Sequence, residues 1–478
     1  MSDEYDVAIV GAGPAGVNAA LETCRAGLRT LVVDEQPAAG GQVWRRHSAA
    51  ILDAPETPES AAGERLRAQL RASGADHLAA TRLWQIETDG ACWHLALTGP
   101  AGPRRIRGRR LVLATGAQER VLPVPGWTLP GVIGLAGATA LLKRDLALPG
   151  DDTVIAGCGP LVFFVAAEIL RLGGRPRAVA VLNGRRDWLR AAPALGAHAG
   201  LLARGMGWAA RLAARGVPIH WSHALARVDG DAGVESVELV PVDRGWAPIP
   251  GARAVRVGAD SVCAGHGLMP AVEAAAMAGA SLGFDSALGG WTPVLGPDGK
   301  ADVERLWICG DGAGVLGAPA AALRGSLAGL AVAADLGRGG EASRARHARL
   351  ERRLARAARL GEAMGRLMRL RAGLVGLIER DTVVCRCEGV TRGDIEAELA
   401  SGAASPDALK RGRRAGMGPC GGRFCNETLA ILLANATGRS RGEIGRPSVR
   451  PPLHPVAIGD IVADIDYDAL PIPAPAPL

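Results

Sequence analysis

Two cysteine pairs near the C-terminus, Cys385-Arg-Cys387 and, after 32 intervening residues, Cys420-Gly-Gly-Arg-Phe-Cys425, gather four of the chain's nine cysteines in one short stretch. Thiolates at this spacing suit an iron–sulfur cluster, which moves one electron at a time. Zinc held by the same four sulfurs is the alternative. Zinc loops usually separate paired cysteines by two to four residues, however, and the single residue between Cys385 and Cys387 fits that pattern poorly. Gly416, Gly418, Gly421 and Gly422 surround Cys420, where bare backbone N–H groups can approach cluster sulfurs and stabilise their negative charge. Cys24, Cys92, Cys158, Cys263 and Cys309 are scattered and form no C-x-x-C pair, so they read as small core residues of a reducing compartment.

A second chemical signature stands at the other end of the chain. The apolar run Asp6-Val-Ala-Ile-Val10 enters Gly11-Ala-Gly13-Pro14-Ala15-Gly16, an Ala-rich helical segment follows to about Ala26, and Thr30-Leu-Val-Val33 ends in Asp34-Glu35. Strand, glycine turn, helix, strand and acid at this spacing bind dinucleotides. Gly11 permits the tight turn, Gly13 lets backbone approach a pyrophosphate, Gly16 allows close helix–strand packing, and Asp34 can accept from a ribose.

The elements that must hold these sites follow from periodicity. Leu83–Thr88, Cys92–Leu97 and Arg109–Ala114 read as strands, the last ending in Thr115-Gly116. Thr153-Val-Ile-Ala156 then begins a second unit with Gly157-Cys-Gly159-Pro-Leu-Val162, an apolar helix to about Leu172 and a strand to Leu182. Its later strands end in Gly265-His-Gly267. The repeat predicts two related dinucleotide-fold units. In the second, Val162 replaces the third glycine and Asn183 the acid, which argues against NAD(P). Arg185 and Arg186 suit either a 2′-phosphate or plain solvation, and solvation is preferred. His266 is expected to be a neutral, buried structural group.

Farther on, Arg305-Leu-Trp-Ile-Cys-Gly310-Asp311 puts an acid at a strand end ahead of a small-residue helix from about Ala318 to Leu336, a position from which Asp311 can bond a ribityl chain. Ala342–Ile378 reads as one basic helix with Leu350, Leu354, Ala357, Met364, Leu367 and Val375 near one face. It is expected to pack between domains in preference to binding lipid. Thr391-Arg-Gly-Asp394 is an N-cap with its return acid, Gly402 ends that helix, and Ser405-Pro406 starts another.

Composition removes several classes of function. The net charge of +7 arises from 52 Arg and three Lys (Lys143, Lys300, Lys410), and aromatics make up only 3%. This excludes a stacking platform, and no nucleic-acid partner is expected. Val121–Leu142 is uncharged, but Pro123, Pro125, Pro130 and four glycines break it, so no membrane span is expected. The strand pattern begins at Tyr5 without a basic n-region, which predicts a cytoplasmic protein without a cleaved signal peptide. Asn426-Glu-Thr428 and Asn435-Ala-Thr437 are then chance glycosylation matches, and Pro471–Pro477 suggests a disordered or partner-bound tail.

Taken together, the motifs resemble the FAD-dependent, [2Fe-2S]-binding subunits of heteromeric amine and imino-acid dehydrogenases. That group includes the A subunit of opine oxidase, the alpha subunit of D-hydroxyproline dehydrogenase and the B subunit of hydrogen cyanide synthase. The resemblance spans nearly the whole chain. It rests on Gly11–Gly16, Asp34-Glu-Gln-Pro37, Gly40-Gly41-Gln42-Val-Trp-Arg45, Ala114-Thr115-Gly116-Ala-Gln-Glu-Arg120, Pro125-Gly-Trp-Thr-Leu-Pro-Gly131, Gly310-Asp311 and the four-cysteine unit.

The resemblance implies an α/β fold of two Rossmann-like domains of the pyridine nucleotide-disulfide oxidoreductase type plus a small helical [2Fe-2S] domain. FAD would lie in the first unit, along Gly11, Gly13, Pro14, Ala15, Gly16, Asp34 and Glu35, with Gly41 and Gln42 near the flavin. Thr115 and Gly116 would follow the nucleotide, and Gly310 and Asp311 the ribityl chain. The cluster would lie on Cys385, Cys387, Cys420 and Cys425.

The expected organisation is an FAD domain in two parts (1–120 and 285–340) around a second nucleotide-like domain (121–284). A helical linker (341–379), the cluster domain (380–440) and a Pro-rich tail (441–478) follow. The implied partner is an amino-acid-oxidase-type flavoprotein that oxidises the amine, with room for a small additional iron–sulfur protein and for contact with a respiratory chain at the inner face of the membrane. Two other functions remain open at this point: a free-standing NAD(P)H-dependent reductase, and a scaffold that keeps its cofactors only for stability.

Overall fold

The computed structural model describes residues 4–462 except 52 and 197, so the Pro471–Pro477 tail lies outside the described residues. Alternation of small and β-branched residues in Glu4–Val10 builds a strand whose core positions Val7, Ala8 and Ile9 have no exposure, as expected for a parallel strand covered on both faces. It pairs in parallel with Thr30–Val33 on one side and Gly102–Leu113 on the other. Asp76–Leu78 extends the sheet beyond Thr30–Val33, while Trp93–Gly99 and Arg82–Thr88 add an antiparallel meander. Leu306–Ile308, some two hundred residues later in sequence, also pairs in parallel with Gly102–Leu113, so the stretch that carries Asp311 returns to the first sheet.

The second sheet repeats this plan with Asp152–Gly157 at its centre, flanked in parallel by Arg175–Val181 and Ser261–Gly265 and extended by Ile219–Trp221 and Val132–Gly134. A three-stranded antiparallel meander, His223–Asp229, Ser236–Pro241 and Val255–Gly258, covers it. In both units the central strand runs into a glycine turn and a helix, Pro14–Arg25 and Leu161–Arg171.

The small-residue helix Ala318–Asp335 packs directly on Pro14–Arg25. A Cβ at Gly325 would come within 2.0 Å of the Ala15 carbonyl oxygen, so only glycine permits this approach. The basic helix follows as Glu341–Met368, with Leu350, Ala357, Leu360 and Leu367 buried. Its Arg346 forms an ion pair with the buried Glu22 at 2.6 Å. This helix is shorter than the expected run to Ile378. Asn183 Nδ2 donates to the Leu367 carbonyl at 2.9 Å, Arg369 turns extended, and Ala372–Leu377 continues as a 3₁₀ helix. Tertiary contact thus overrides a helical pattern that continues past the true end.

The last unit opens on the short hairpin Val383–Cys385 and Val390–Thr391. Helices Arg392–Ala400, Pro406–Arg413 and Asn426–Thr437 pack Ile395, Leu409, Leu429 and Leu433 into a core shared with Trp246, Leu374 and Ile378. Thr391 and Asp394 form the expected capping box, and Ser405 caps the next helix. No helix among the described residues is long and apolar enough to cross a membrane.

Candidate functional site: one pocket and four thiols

A cavity of about 850 Å³ opens at the C-terminal edge of the first sheet, where open α/β sheets bind ligands. It is lined by Gly11, Gly13, Pro14, Ala15, Asp34, Glu35, Gly41, Gln42, Thr115, Gly116, Gly310 and Asp311. Gly16 stands behind this wall, where a Cβ would come within 1.7 Å of the Gly11 carbonyl oxygen. Gly11, at φ +104°, would press a Cβ to 2.3 Å from the Ala114 carbonyl oxygen. Gly13 caps Pro14–Arg25 without any side-chain hydrogen bond, and that helix has no acid in its first turn. Its amides therefore suit an anion such as a pyrophosphate.

The acids are more tied down than their sequence positions suggest. Asp34 accepts from the backbone N–H groups of Ala12 and Gln36, which fasten the glycine turn to the second strand, and burial raises its pKa. Glu35 is the exposed carboxylate of the pair, 4.0 Å from Arg82. Asp311 Oδ1 accepts from Leu316 and Gly317 at 3.0 and 2.9 Å, and burial raises its pKa too. The Thr115 hydroxyl donates to the Ala271 carbonyl at 2.7 Å. His266 accepts the Leu122 N–H on Nδ1, and burial pushes its pKa down to about 4, so the ring is neutral at pH 7.

Several lining residues escaped the sequence reading. Glu119 is enclosed, accepts from Ala136 N–H at 2.9 Å, and has its pKa pushed up to about 8 by burial. Lys143, with its pKa lowered by burial, donates to the Val43 carbonyl. Arg386, Arg423 and Phe424, which stand between the paired cysteines, also line the pocket. The only available signals were the rarity of lysine and the position of Glu119 within Ala114–Arg120.

The four cysteines converge. Cys385 and Cys425 are buried, Cys420 is half-buried and Cys387 is exposed. A hydrogen bond from the Cys425 thiol and the backbone N–H groups of Gly416, Glu388 and Cys387 hold Cys385 as a thiolate, its pKa lowered to about 5, while Cys387 pairs with Cys420. Two such pairs fit a two-iron cluster. A Cβ on Gly418 would come within 2.1 Å of Cys387 Cβ, so backbone closes tightly on this loop.

In the second unit the glycine turn is filled from within. Gly159 N–H donates to Asn183 Oδ1 at 2.9 Å. Met368 lies so close that a Cβ on Gly159 or Gly267 would come within 2.8 or 2.9 Å of its side chain. Arg185 and Arg186 are exposed.

This fold and these sites define a two-unit flavoprotein oxidoreductase with a C-terminal [2Fe-2S] domain. Residues 5–335 match the pyridine nucleotide-disulphide oxidoreductase family, and residues 383–435 match the BFD-like [2Fe-2S] binding domain. The chain belongs to this family, as an FAD- and [2Fe-2S]-binding member of the group that contains HcnB and the A subunit of opine oxidase. It is 35% identical over 475 residues to the A subunit of opine oxidase from Rhizobium meliloti (strain 1021), covering 96% of this chain and 99% of that one. It is 33% identical to the HcnB subunit of hydrogen cyanide synthase from Pseudomonas aeruginosa, covering 94% and 96%. The crystal structure of L-proline dehydrogenase from P. horikoshii shares the fold, with a TM-score of 0.72 at 21% identity over 96% of this chain and 79% of that one.

Proposed function

We propose that this chain is the electron-handling subunit of a heteromeric dehydrogenase that oxidises an amino acid, imino acid or opine, with a respiratory carrier as final acceptor. The observation that carries the reading is the shared wall of the pocket: the glycine turn of the first unit and the residues between the paired cysteines line one cavity. When bound, FAD supplies conversion between two-electron and one-electron chemistry, and the cluster supplies single-electron transfer.

The chain's own residues bind and position. The Gly13 turn and the helix behind it would receive the pyrophosphate, Glu35 would serve the ribose, and Gly41 and Gln42 would line the flavin. The Asp311 carboxylate, fixed by two backbone donors, would take the ribityl chain, and Cys385, Cys387, Cys420 and Cys425 would hold the irons. Glu119 keeps a proton at neutral pH inside the same pocket. Bond breaking at the amine belongs to a partner flavoprotein of the amino-acid-oxidase type; that there is a partner at all is supported by the relatives' being named as subunits. The filled glycine turn of the second unit disfavours a nicotinamide donor.

The test is purification of the native complex from its source followed by a screen of proline, hydroxyproline, opines and glycine as electron donors to an artificial acceptor. The reading requires a co-purifying flavoprotein and turnover with at least one of these donors. Isolation of the chain alone, active with NADH, would refute it.

A further inference from the structure

The Pro125–Gly131 turn has no part in the binding roles above, yet its tryptophan stands where the two sites meet. Gly126, at φ +79°, lets the turn sit where a Cβ would come within 1.9 Å of the Val228 carbonyl oxygen, and this tight turn presents Trp127 inward. Trp127 is 7% exposed and lines the cavity. Its indole N–H donates to the Val383 carbonyl at 2.6 Å, on the strand that carries Cys385. Two residues beyond Val384, the Arg386 guanidinium lies 5.6 Å from the Trp127 ring centroid and 5.3 Å from that of Phe424. Arg386 and Phe424 line the cavity as well. Arg386 is thus flanked in sequence by two cysteines, is exposed but within cation–π distance of two aromatic rings, and has no carboxylate partner among the ion pairs of the described residues.

We propose that Arg386, held by Trp127 and Phe424, is a positioning residue that couples the flavin pocket to the cluster by setting a fixed positive charge between them. The inference rests on the cofactor assignment above and adds a role for a residue that binds neither group covalently. When one electron passes from reduced flavin to the oxidised cluster, no bond forms or breaks, and the cluster gains one unit of negative charge. A guanidinium beside it stabilises that charge and so favours the reduced cluster. Arg386 and Phe424 are both exposed, so solvent screens the charge in part; the aromatic faces matter because they keep it at a fixed short distance from the cluster loop, within the range where its field still acts. Cation–π contact with two rings holds it in place. Arginine suits this position better than lysine, since its planar cation stacks on rings.

The experiment is a dye-mediated anaerobic redox titration of the FAD-loaded chain in complex with its partner, with the cluster followed by EPR and the flavin by absorbance. The wild-type rhombic signal first establishes that the cluster is present, so failure of the cofactor assignment is seen separately. In Arg386→Gln we expect an unchanged EPR line shape and flavin midpoint, with the cluster's preference for the reduced form weakened by about tenfold, equivalent to about 59 mV for a one-electron couple. Arg386→Lys should recover part of this shift. Trp127→Leu, which removes one holding face and leaves the charge, should shift the cluster midpoint in the same direction by less. It carries the test if Arg386→Gln fails to assemble a cluster. A wild-type cluster midpoint in Arg386→Gln, or in Trp127→Leu where that variant carries the test, overturns the proposal. So does an equal shift in the Gln and Lys variants, which would make packing and not charge the cause.

Discussion

Cys420 is half-buried, two residues from Gly418 and from Gly422, where a Cβ would come within 2.1 Å of Cys387 Cβ and 2.2 Å of the Asn426 amide. A serine in its place keeps the shape but offers a harder, poorly matched oxygen ligand. Cys420→Ser should therefore retain bound flavin and lose the rhombic EPR signal of the reduced cluster, and an intact signal would contradict the ligand assignment. Glu119 gives a prediction in pH. Its pKa is raised by burial to about 8 from an ordinary value of 4.5, so between these values the folded state holds a proton that the unfolded state has released. Stability must then fall as pH rises through this window. Glu119→Gln cannot titrate, so the melting temperature of the wild type should decline relative to it from about pH 5 to about pH 8; parallel profiles would rule this out. Cysteine spacing and glycine spacing are legible in sequence because each reflects purely local geometry. Glu119 is not, because the groups that enclose it, Gly134, Ala136 and Gly265, come from other segments.

Most short strands and glycine turns sit where their patterns place them, with ends shifted by up to three residues, but the strand read from Arg109 begins at Gly102. The clearest departure is the basic helix. Its apolar face continues past Met368, but the chain leaves the helix there because Asn183 takes the Leu367 carbonyl and Met368 packs against Gly159 and Gly267. Those partners lie about 100 to 200 residues away, so no local signal marks the stop. The same contact has a consequence for ligands. The Gly159 N–H that would face a pyrophosphate is bonded to Asn183, and Met368 stands over the turn. Calorimetric titration of the purified chain with NADPH should give no saturable binding. Binding with a dissociation constant in the micromolar range would show that Leu367–Arg371 leaves the turn, and would reopen a nicotinamide role.

At the scale of the whole molecule, a buried charge network fastens the cluster domain to the flavoprotein units. Glu427, on the helix that follows Cys425, sits 3.4 Å from Arg120 and 2.9 Å from Arg441, and Arg446 pairs with Glu273 at 3.0 Å. Glu427→Gln leaves two enclosed guanidinium groups without their counter-charge, a loss on the order of 3 kcal/mol. It should lower the denaturant midpoint of the chain and expose the linker to protease, whereas an unchanged midpoint would mean the domain is held by apolar contact alone. This network joins residues from four separate stretches, which is why sequence alone did not show the joint. In the proposed function, electrons enter from an amine by way of flavin and reach the cluster. Its most direct test is anaerobic mixing of the native complex with candidate amino acids, imino acids and opines, and separately with NADH and NADPH, monitored by flavin absorbance and by EPR of frozen samples. The account predicts flavin bleaching and a rhombic cluster signal with an amine donor, and neither with a nicotinamide. Rapid bleaching of the isolated chain by NADH or NADPH would contradict it.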